Sequence, residues 1–314
     1  MDNTMLKNFP YTPILGWSVS RYGLFEACKR KYYYTYYAKY DPVHPRQKID
    51  DLKNMTSIPL EIGNIVHDIN KILLERLQKA EGEINQDHFF DYAWKLTQEY
   101  CSSKEFMEIH YSEIKKLDTE SLFGRVKISL KNFLDSQRFG WLTKEAIQNK
   151  AKWIIEPAGY GETRIGQMKA YCKVDFLFPI EDSLFILDWK TGKADLVKHG
   201  KQLLGYAAWA SFHFQTDFTK INPIIVYLFP RYEERQVSIG DSDIQEFTNR
   251  IKKETEEMYG FCTNVEENIP KNKEIFTKTD KEKFCGYCNF RELCGRQRAK
   301  NGFVLKSLCF FDEN

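Results

Sequence analysis

Two apolar runs each carry an aspartate where a strand would ordinarily bury a hydrocarbon side chain: KVDFLF (173–178) and SLFILDWK (183–190). A carboxylate among buried apolar neighbours is costly unless it is paired, hydrogen-bonded or bound to a cation. Folded as a two-strand hairpin, the runs set Asp175 beside Asp188, and adjacent carboxylates repel unless positive charge lies between them. Residues two apart on a strand share a side, so Asp188 projects together with Lys190 at the strand's C-terminal end. A carboxylate there binds a hard divalent cation, and the neighbouring ammonium offsets phosphate charge or holds a water. The plainer alternative, an exposed Asp–Lys pair of little energetic worth, accounts for Asp188 and Lys190 but not for Asp175.

The rest of the chain divides by texture. GWSVSRYGLFEAC starts a helix, with Ser18 or Ser20 as N-cap, that continues into the tyrosine-rich CKRKYYYTYYAKY of residues 28–40. Two prolines and scattered charges make 41–57 a loop. From residue 58 to about 139, apolar residues recur at three- and four-residue spacing, a block of several helices. Beyond residue 152, KWIIEP, MKAYCKVDFLFP, SLFILDWK and NPIIVYLFP read as strands. HGKQLLGYAAWASFHF and DSDIQEFTNRIKKETEEMYGF read as helices. The order β-β-β-α-β-(β)-α predicts a mixed α/β sheet flanked by helices. GYGETRIGQM has the G-x4-G frame of a phosphate loop, but Gln167-Met168 stands where Lys-Ser/Thr is required, so it reads as a hairpin turn. Residues 264–284 read as a polar, extended connection. The expected organisation is a helical block over 1–150, a sheet-centred core over 151–262 and a cysteine segment over 263–314, together one compact domain.

Upstream, GNIVHDI puts His67 one helical turn after Gly63, whose small size allows close approach of another backbone. Downstream, Gln202 and Tyr206 in QLLGY are four apart and share a helix face. In this order GxxxH, a strand Asp, D-x-K and QxxxY resemble the RecB-like branch of the PD-(D/E)XK nuclease superfamily, with matching segments from about Ser18 to Arg296. The resemblance implies a restriction-endonuclease-like fold and a Mg or Mn ion held by His67, Asp175, Asp188 and the backbone carbonyl of Trp189. It implies that Lys190 positions or activates the attacking water, while Gln202 and Tyr206 support substrate and active site. Relatives commonly have Gly three residues before the strand Asp; Cys172 stands there and is expected to narrow the space beside the metal.

FCGYCNFRELCGRQ carries Cys285, Cys288 and Cys294 as C-x2-C-x5-C. Iron–sulfur clusters and structural zinc usually take four ligands, so the triplet wants one more, and the residues alone leave both metals open. By the same resemblance, members of this branch pair such a triplet with a cysteine far upstream. That implies a 4Fe-4S cluster on Cys28, Cys285, Cys288 and Cys294, with zinc as the alternative. Joining residues 28 and 285 closes a loop over most of the chain, worth ~5 kcal/mol in a simple loop-entropy treatment. The cluster is therefore expected to be a structural latch between the termini. Phe25, Tyr32 and Tyr36 are expected to pack around it or the helical block, with Tyr33, Tyr37 and Tyr40 as a core stripe. Lys29, Arg30 and Lys31 are the candidates for phosphate contact. Cys101, Cys172, Cys262 and Cys309 default to buried thiols.

A formal net charge of +2 over 314 residues excludes coating of nucleic acid by bulk electrostatics, so any grip is local. No apolar run approaches the roughly 20 residues of a spanning helix, and MDNTMLKNFP lacks a signal-peptide pattern. The expectation is a cytoplasmic protein with reduced thiols and no membrane partner. The function implied is a metal-dependent deoxyribonuclease, an exonuclease on single-stranded DNA ends, in repair, recombination or phage- or CRISPR-related processing. A helicase or a CRISPR-adaptation protein is the partner class. The alternative is a non-catalytic DNA-end-binding subunit of a helicase–nuclease complex.

Overall fold

The computed structural model describes residues 9–80, 84–156, 162–165, 168–237 and 239–296. They fall into two units: residues 24–54 with 272–296 make the smaller, and residues 9–23 with 55–271 the larger. Helical block and sheet thus share the larger unit, whereas sequence texture sets them apart. Among the described residues no helix is long and apolar enough to cross a membrane.

The helices in chain order are α1 (Val19–Ala27), α2 (Lys29–Tyr37), α3 (Arg46–Asn54), α4 (Ile58–Lys79), α5 (Gln86–Ser103), α6 (Met107–His110), α7 (Thr119–Leu134), α8 (Gln137–Lys144), α9 (Leu196–Phe214) and α10 (Asp241–Tyr259). The strands are β1 (Ile154–Ile155), β2 (Glu162–Ile165), β3 (Met168–Tyr171), β4 (Phe176–Ile180), β5 (Ser183–Lys190), β6 (Ile221–Tyr227), β7 (Glu233–Gln236), β8 (Cys262–Asn264) and β9 (Ile269–Pro270). A five-stranded mixed sheet in the order β1-β4-β5-β6-β7 forms the centre of the larger unit, with helices around it.

β4 and β5 make the expected hairpin, pairing Phe176 with Leu187 and Ile180 with Ser183 around a two-residue turn in which Glu181 takes φ 49°. β5 and β6 run parallel, and such a pair needs a crossover, which α9 supplies. Along β5, Leu187 and Trp189 enter one hydrophobic core with Val66 and Ile69 of α4 and Leu130 and Phe133 of α7. The Trp189 ring lies 4.7 Å from that of Phe133. Alternation then leaves Asp188 and Lys190 on the opposite side. A one-residue slip would drive both charges into this core and take Trp189 off Phe133, so the pairing register is strongly specified.

Four local expectations change. The helix entering the tyrosine run is broken at Cys28, which is extended (φ −163°, ψ 108°) and caps α2 by accepting from the Lys31 N–H. Residues 41–57 are not all loop: the prolines precede α3 rather than preclude it, and Ile49 and Leu52, three apart, bury its inner face. MKAYCKVDFLFP is two strands, not one; β3 pairs with β2 in a separate small sheet, and Gly166 and Gln167 between them lie outside the described residues. The polar connection carries the β8–β9 hairpin and a short 3₁₀ turn, Lys273–Ile275, so it is not simply extended.

In the smaller unit the tyrosines pack largely as expected. Phe276 is their hub, with ring centroids 5.0 Å from Tyr33, 5.9 Å from Tyr37 and 6.5 Å from Tyr32. Tyr34 meets Phe290 at 5.4 Å. Tyr36 departs from expectation: its ring touches Tyr32, but the residue is 40% exposed. Tyr40 is half-buried. The Asn289 side chain donates to the Leu52 carbonyl at 2.6 Å and so satisfies the end of α3. Lys273 and Asp41 form an ion pair at 2.7 Å with both side chains almost wholly buried. Burial alone would raise the Asp41 carboxyl, but hydrogen bonds from Lys273 and from the His44 and Val43 amides outweigh it and hold it below its ordinary 3.8.

A depressed carboxyl contributes stability that is present above its unfolded value and lost as pH falls through its folded value. Unfolding of this unit is therefore expected to grow easier with acid below pH 3.8. Lys273→Met, which strands a buried carboxylate, should cost about 3–5 kcal/mol in urea denaturation.

Candidate active site

The acidic pair forms where β4 begins and β5 ends. Asp175 lies in the bend just before β4 rather than inside a strand, and accepts the Trp189 backbone N–H on Oδ2 at 2.8 Å. Its Oδ1 faces His67 Nδ1 at 3.3 Å. The other ring nitrogen, Nε2, lies 3.0 Å from the Trp189 carbonyl oxygen. His67 thereby ties α4 both to the acid before β4 and to the end of β5.

Asp188 is served from the other side. Tyr206 donates its hydroxyl to Oδ1 at 2.8 Å, and the Gln202 amide reaches the same oxygen at 3.1 Å and the Tyr206 oxygen at 2.6 Å. Lys190 Nζ lies 2.5 Å from Oδ2. The six predicted catalytic side chains thus fall into two contact groups, His67 with Asp175 and Asp188 with Lys190, Gln202 and Tyr206, and the Trp189 backbone, next to Asp188, meets the first.

The charges divide the pair. Burial and then the Asp175 charge raise the Asp188 carboxyl above its ordinary value, against the pull of Lys190. Burial also acts to raise Asp175, but the charge and hydrogen bond of His67 win and hold it low. The same contact works in reverse on the imidazole: burial would lower it, yet Asp175 lifts it to about 9. Burial and Asp188 push the Tyr206 hydroxyl well above its ordinary range, so it stays a donor.

Two carboxyl groups therefore meet His67 and Lys190 in the protein alone. Among the described residues no group of three or more His, Cys, Asp or Glu side chains is arranged to hold a metal ion. The donor chemistry nonetheless fits a hard divalent cation. Two carboxylates and a backbone carbonyl converge, and the buried Asp188 Oδ2 has no partner in hydrogen-bond geometry, Lys190 being its ion-pair neighbour. A divalent cation on these oxygens competes with the His67 proton, because histidine ligates only when neutral.

Cys172 is half-buried beside this centre; burial and then Asp188 raise its thiol. With Lys190, Gln202 and Tyr206 it lines a cavity of ≈ 400 Å³, to which Tyr171, Lys173, Lys198 and His199 also contribute. Sequence reading missed those four. The one available signal was His199, three residues before Gln202 and so on its helix face. Gly63 is less constrained than expected: a Cβ there would meet Thr191 Oγ1 at 3.4 Å, an ordinary contact.

The four cysteines of the predicted cluster all lie in the smaller unit. Burial first, and then neighbouring thiols, raise three of them: Cys285 feels Cys28, Cys288 feels Cys28 and Cys285, and Cys294, lifted to about 11, feels Cys288 and Cys28. Cys28 is therefore within electrostatic reach of the whole triplet. Of the basic trio, Arg30 is buried, donates to the Phe276 carbonyl at 2.8 Å and pairs with Glu274 at 3.2 Å. It is spent on the fold, and the phosphate-contact candidates reduce to Lys29 and Lys31. Of the other cysteines, Cys262 is buried as expected, Cys101 and Cys172 only partly so, and Cys309 lies outside the described residues.

The family model described as the PD-(D/E)XK nuclease superfamily matches residues 16–295. The chain belongs to the PD-(D/E)XK nuclease superfamily. Membership sets the reaction class as phosphodiester hydrolysis, and PD-(D/E)XK nucleases generally use Mg or Mn. The mixed sheet flanked by helices is the restriction-endonuclease-like fold of this superfamily. Among solved structures, a protein from Eubacterium rectale named only provisionally as an exonuclease matches with a TM-score of 0.47 and 14% identity, over 95% of this chain and 94% of that one. The structure of SSO0001 matches with a TM-score of 0.31 and 16% identity, over 67% of this chain and 97% of that one. No curated protein matches.

Tyr206→Phe leaves Asp188 Oδ1 to Gln202 alone, and nuclease activity measured with Mn is expected to fall about 10–100-fold. Gly63→Ala, in a helix interior with room for a methyl, should raise stability by about 0.5–1 kcal/mol in denaturant titrations.

Proposed function

We propose that this PD-(D/E)XK nuclease is a metal-dependent deoxyribonuclease acting on single-stranded DNA ends, as an exonuclease. The observation that carries the reading is the convergence of Asp175, Asp188 and Lys190 at one strand end, with His67 in contact with Asp175 and Gln202 and Tyr206 in contact with Asp188. When bound, Mg or Mn held by Asp175, Asp188, the Trp189 carbonyl and His67 would supply charge neutralisation at the scissile phosphate. The protein's own groups do the rest. Tyr206 and Gln202 fix Asp188 Oδ1, so the carboxylate keeps one orientation while its other oxygen faces Lys190. His67 and the Trp189 N–H hold Asp175 in place. Lys190, in the lining of the cavity, orients a water for in-line attack and offsets charge that develops on the phosphate.

Single-strand preference, a helicase or CRISPR-adaptation partner and a role in repair or phage-related processing rest on resemblance to the RecB-like branch, and a cytoplasmic location on the sequence pattern alone. We also assign a 4Fe-4S cluster to Cys28, Cys285, Cys288 and Cys294, supported by the shared electrostatic neighbourhood of the four thiols. Zinc is the lesser alternative. Lys29 and Lys31, flanking Arg30 on α2, remain proposed phosphate contacts.

Asp188→Ala should abolish cleavage of labelled single strands in Mn while retaining most DNA binding; full cleavage by that variant, or in excess chelator, rules the nuclease reading out. An accessory end-binding subunit would instead bind but never cut. For the cluster, Cys28→Ala should lower both iron content and thermal stability, and no change in either would remove Cys28 from it. Neutralising Lys29 and Lys31 should reduce the salt slope of DNA binding by up to about two, and an unchanged slope assigns them to solvent.

A further inference from the structure

One side chain in the cavity beside the catalytic centre has no part in the reaction as described. His199, buried in the first turn of α9, lines that cavity together with Lys190, Lys198 and Gln202. The ring is held by Nδ1: the Tyr227 hydroxyl lies 2.8 Å away, and the Asp195 backbone N–H approaches the same nitrogen at 3.5 Å. An amide N–H can only donate, so its approach favours the tautomer in which Nδ1 accepts and the neutral ring carries its proton on Nε2. In that tautomer Tyr227 donates, and it is itself positioned by the β5–β6 register that sets it beside Lys190. Burial, and then the charges of Lys190 and Lys198, hold the imidazole down to about 4, so it adds no third positive charge at neutral pH.

We propose that His199 is a substrate-positioning residue that presents Nε2–H to a non-bridging oxygen of the DNA phosphate next to the scissile one. The inference rests on the nuclease reading and extends it to a subsite. A neutral donor grips a phosphate without repelling the lysines around it, and exposed Lys198 at the same wall supplies the charge. The ligand is a strand with at least two consecutive phosphates, because one must sit at Lys190 while its neighbour reaches His199.

The test is steady-state cleavage by the full chain in Mn of two substrates. One is an end-labelled single-stranded oligonucleotide; the other is the p-nitrophenyl ester of thymidine monophosphate, which has one phosphodiester and no neighbouring phosphate. His199→Phe keeps a ring of similar bulk and removes the donor. It should raise KM for the oligonucleotide about tenfold or more with a much smaller change in kcat, and so lower the ratio of oligonucleotide to ester efficiency by that factor. His199→Gln, whose amide reaches toward the Nε2 position, should restore most of the loss. A wild-type KM in His199→Phe, an equal loss on both substrates, or no recovery in His199→Gln overturns the assignment. Should His199→Phe fold poorly, Tyr227→Phe decides by the same KM comparison, because it frees the tautomer while leaving the ring in place. Wild-type protein that cleaves neither substrate would sink the nuclease reading instead. Oligonucleotide affinity of the same variants, by fluorescence anisotropy, would then decide the subsite on its own.

Discussion

The mutual repulsion of Asp175 and Asp188 is the constraint around which the larger unit is organised. Hairpin register forces the two carboxylates together, and burial removes the water that would otherwise screen them. Each survives because a separate element brings it a partner: α4 brings His67 to Asp175, while α9 brings Tyr206 and Gln202 to Asp188. Lys190 comes from β5 itself. The backbone between the acids is anchored from behind, where Trp189 is buried against Phe133. Sheet, crossover helix and helical block must therefore all be in place before the site exists. The reverse also holds, since an unpartnered acid at this sheet end would oppose folding.

The site was legible in the sequence because its chemistry is expressed as spacing. Residues two apart on a strand and four apart on a helix share a side by geometry alone, which is why D-x-K and QxxxY predict contacts the structure displays. The fold class was legible for a related reason: short apolar strands around a helix that must cross over leave few arrangements of a mixed sheet. What sequence could not supply were local decisions made by tertiary partners. Cys28 breaks a helix whose periodicity runs straight through it. α3 forms in a charged, proline-flanked stretch because Ile49 and Leu52 find a buried side. Arg30 has the same charge as Lys29 and Lys31, yet its guanidinium is claimed by the Phe276 carbonyl. His199 escaped notice because a histidine's tautomer depends on a hydroxyl and an amide distant in sequence or invisible in it.

The smaller unit shows a different economy. Its two chain segments are held by the packing of the tyrosines on Phe276, by the buried Lys273–Asp41 pair and by Asn289 on the end of α3. The four cysteines lie within this frame, so a cluster there would reinforce an assembly that already has an aromatic core. The tyrosine run that follows Cys28 is accordingly structural in its buried members.

Divalent-cation binding tests the central claim most directly. Calorimetric titration of the full chain with Mn, compared with Asp175→Asn and Asp188→Asn, reads the acidic pair without relying on turnover. A Mn site present in the native chain and lost in both variants is the predicted result. Wild-type Mn affinity in either variant would mean that the two carboxylates do not form a metal site, and the account of the active centre would fall.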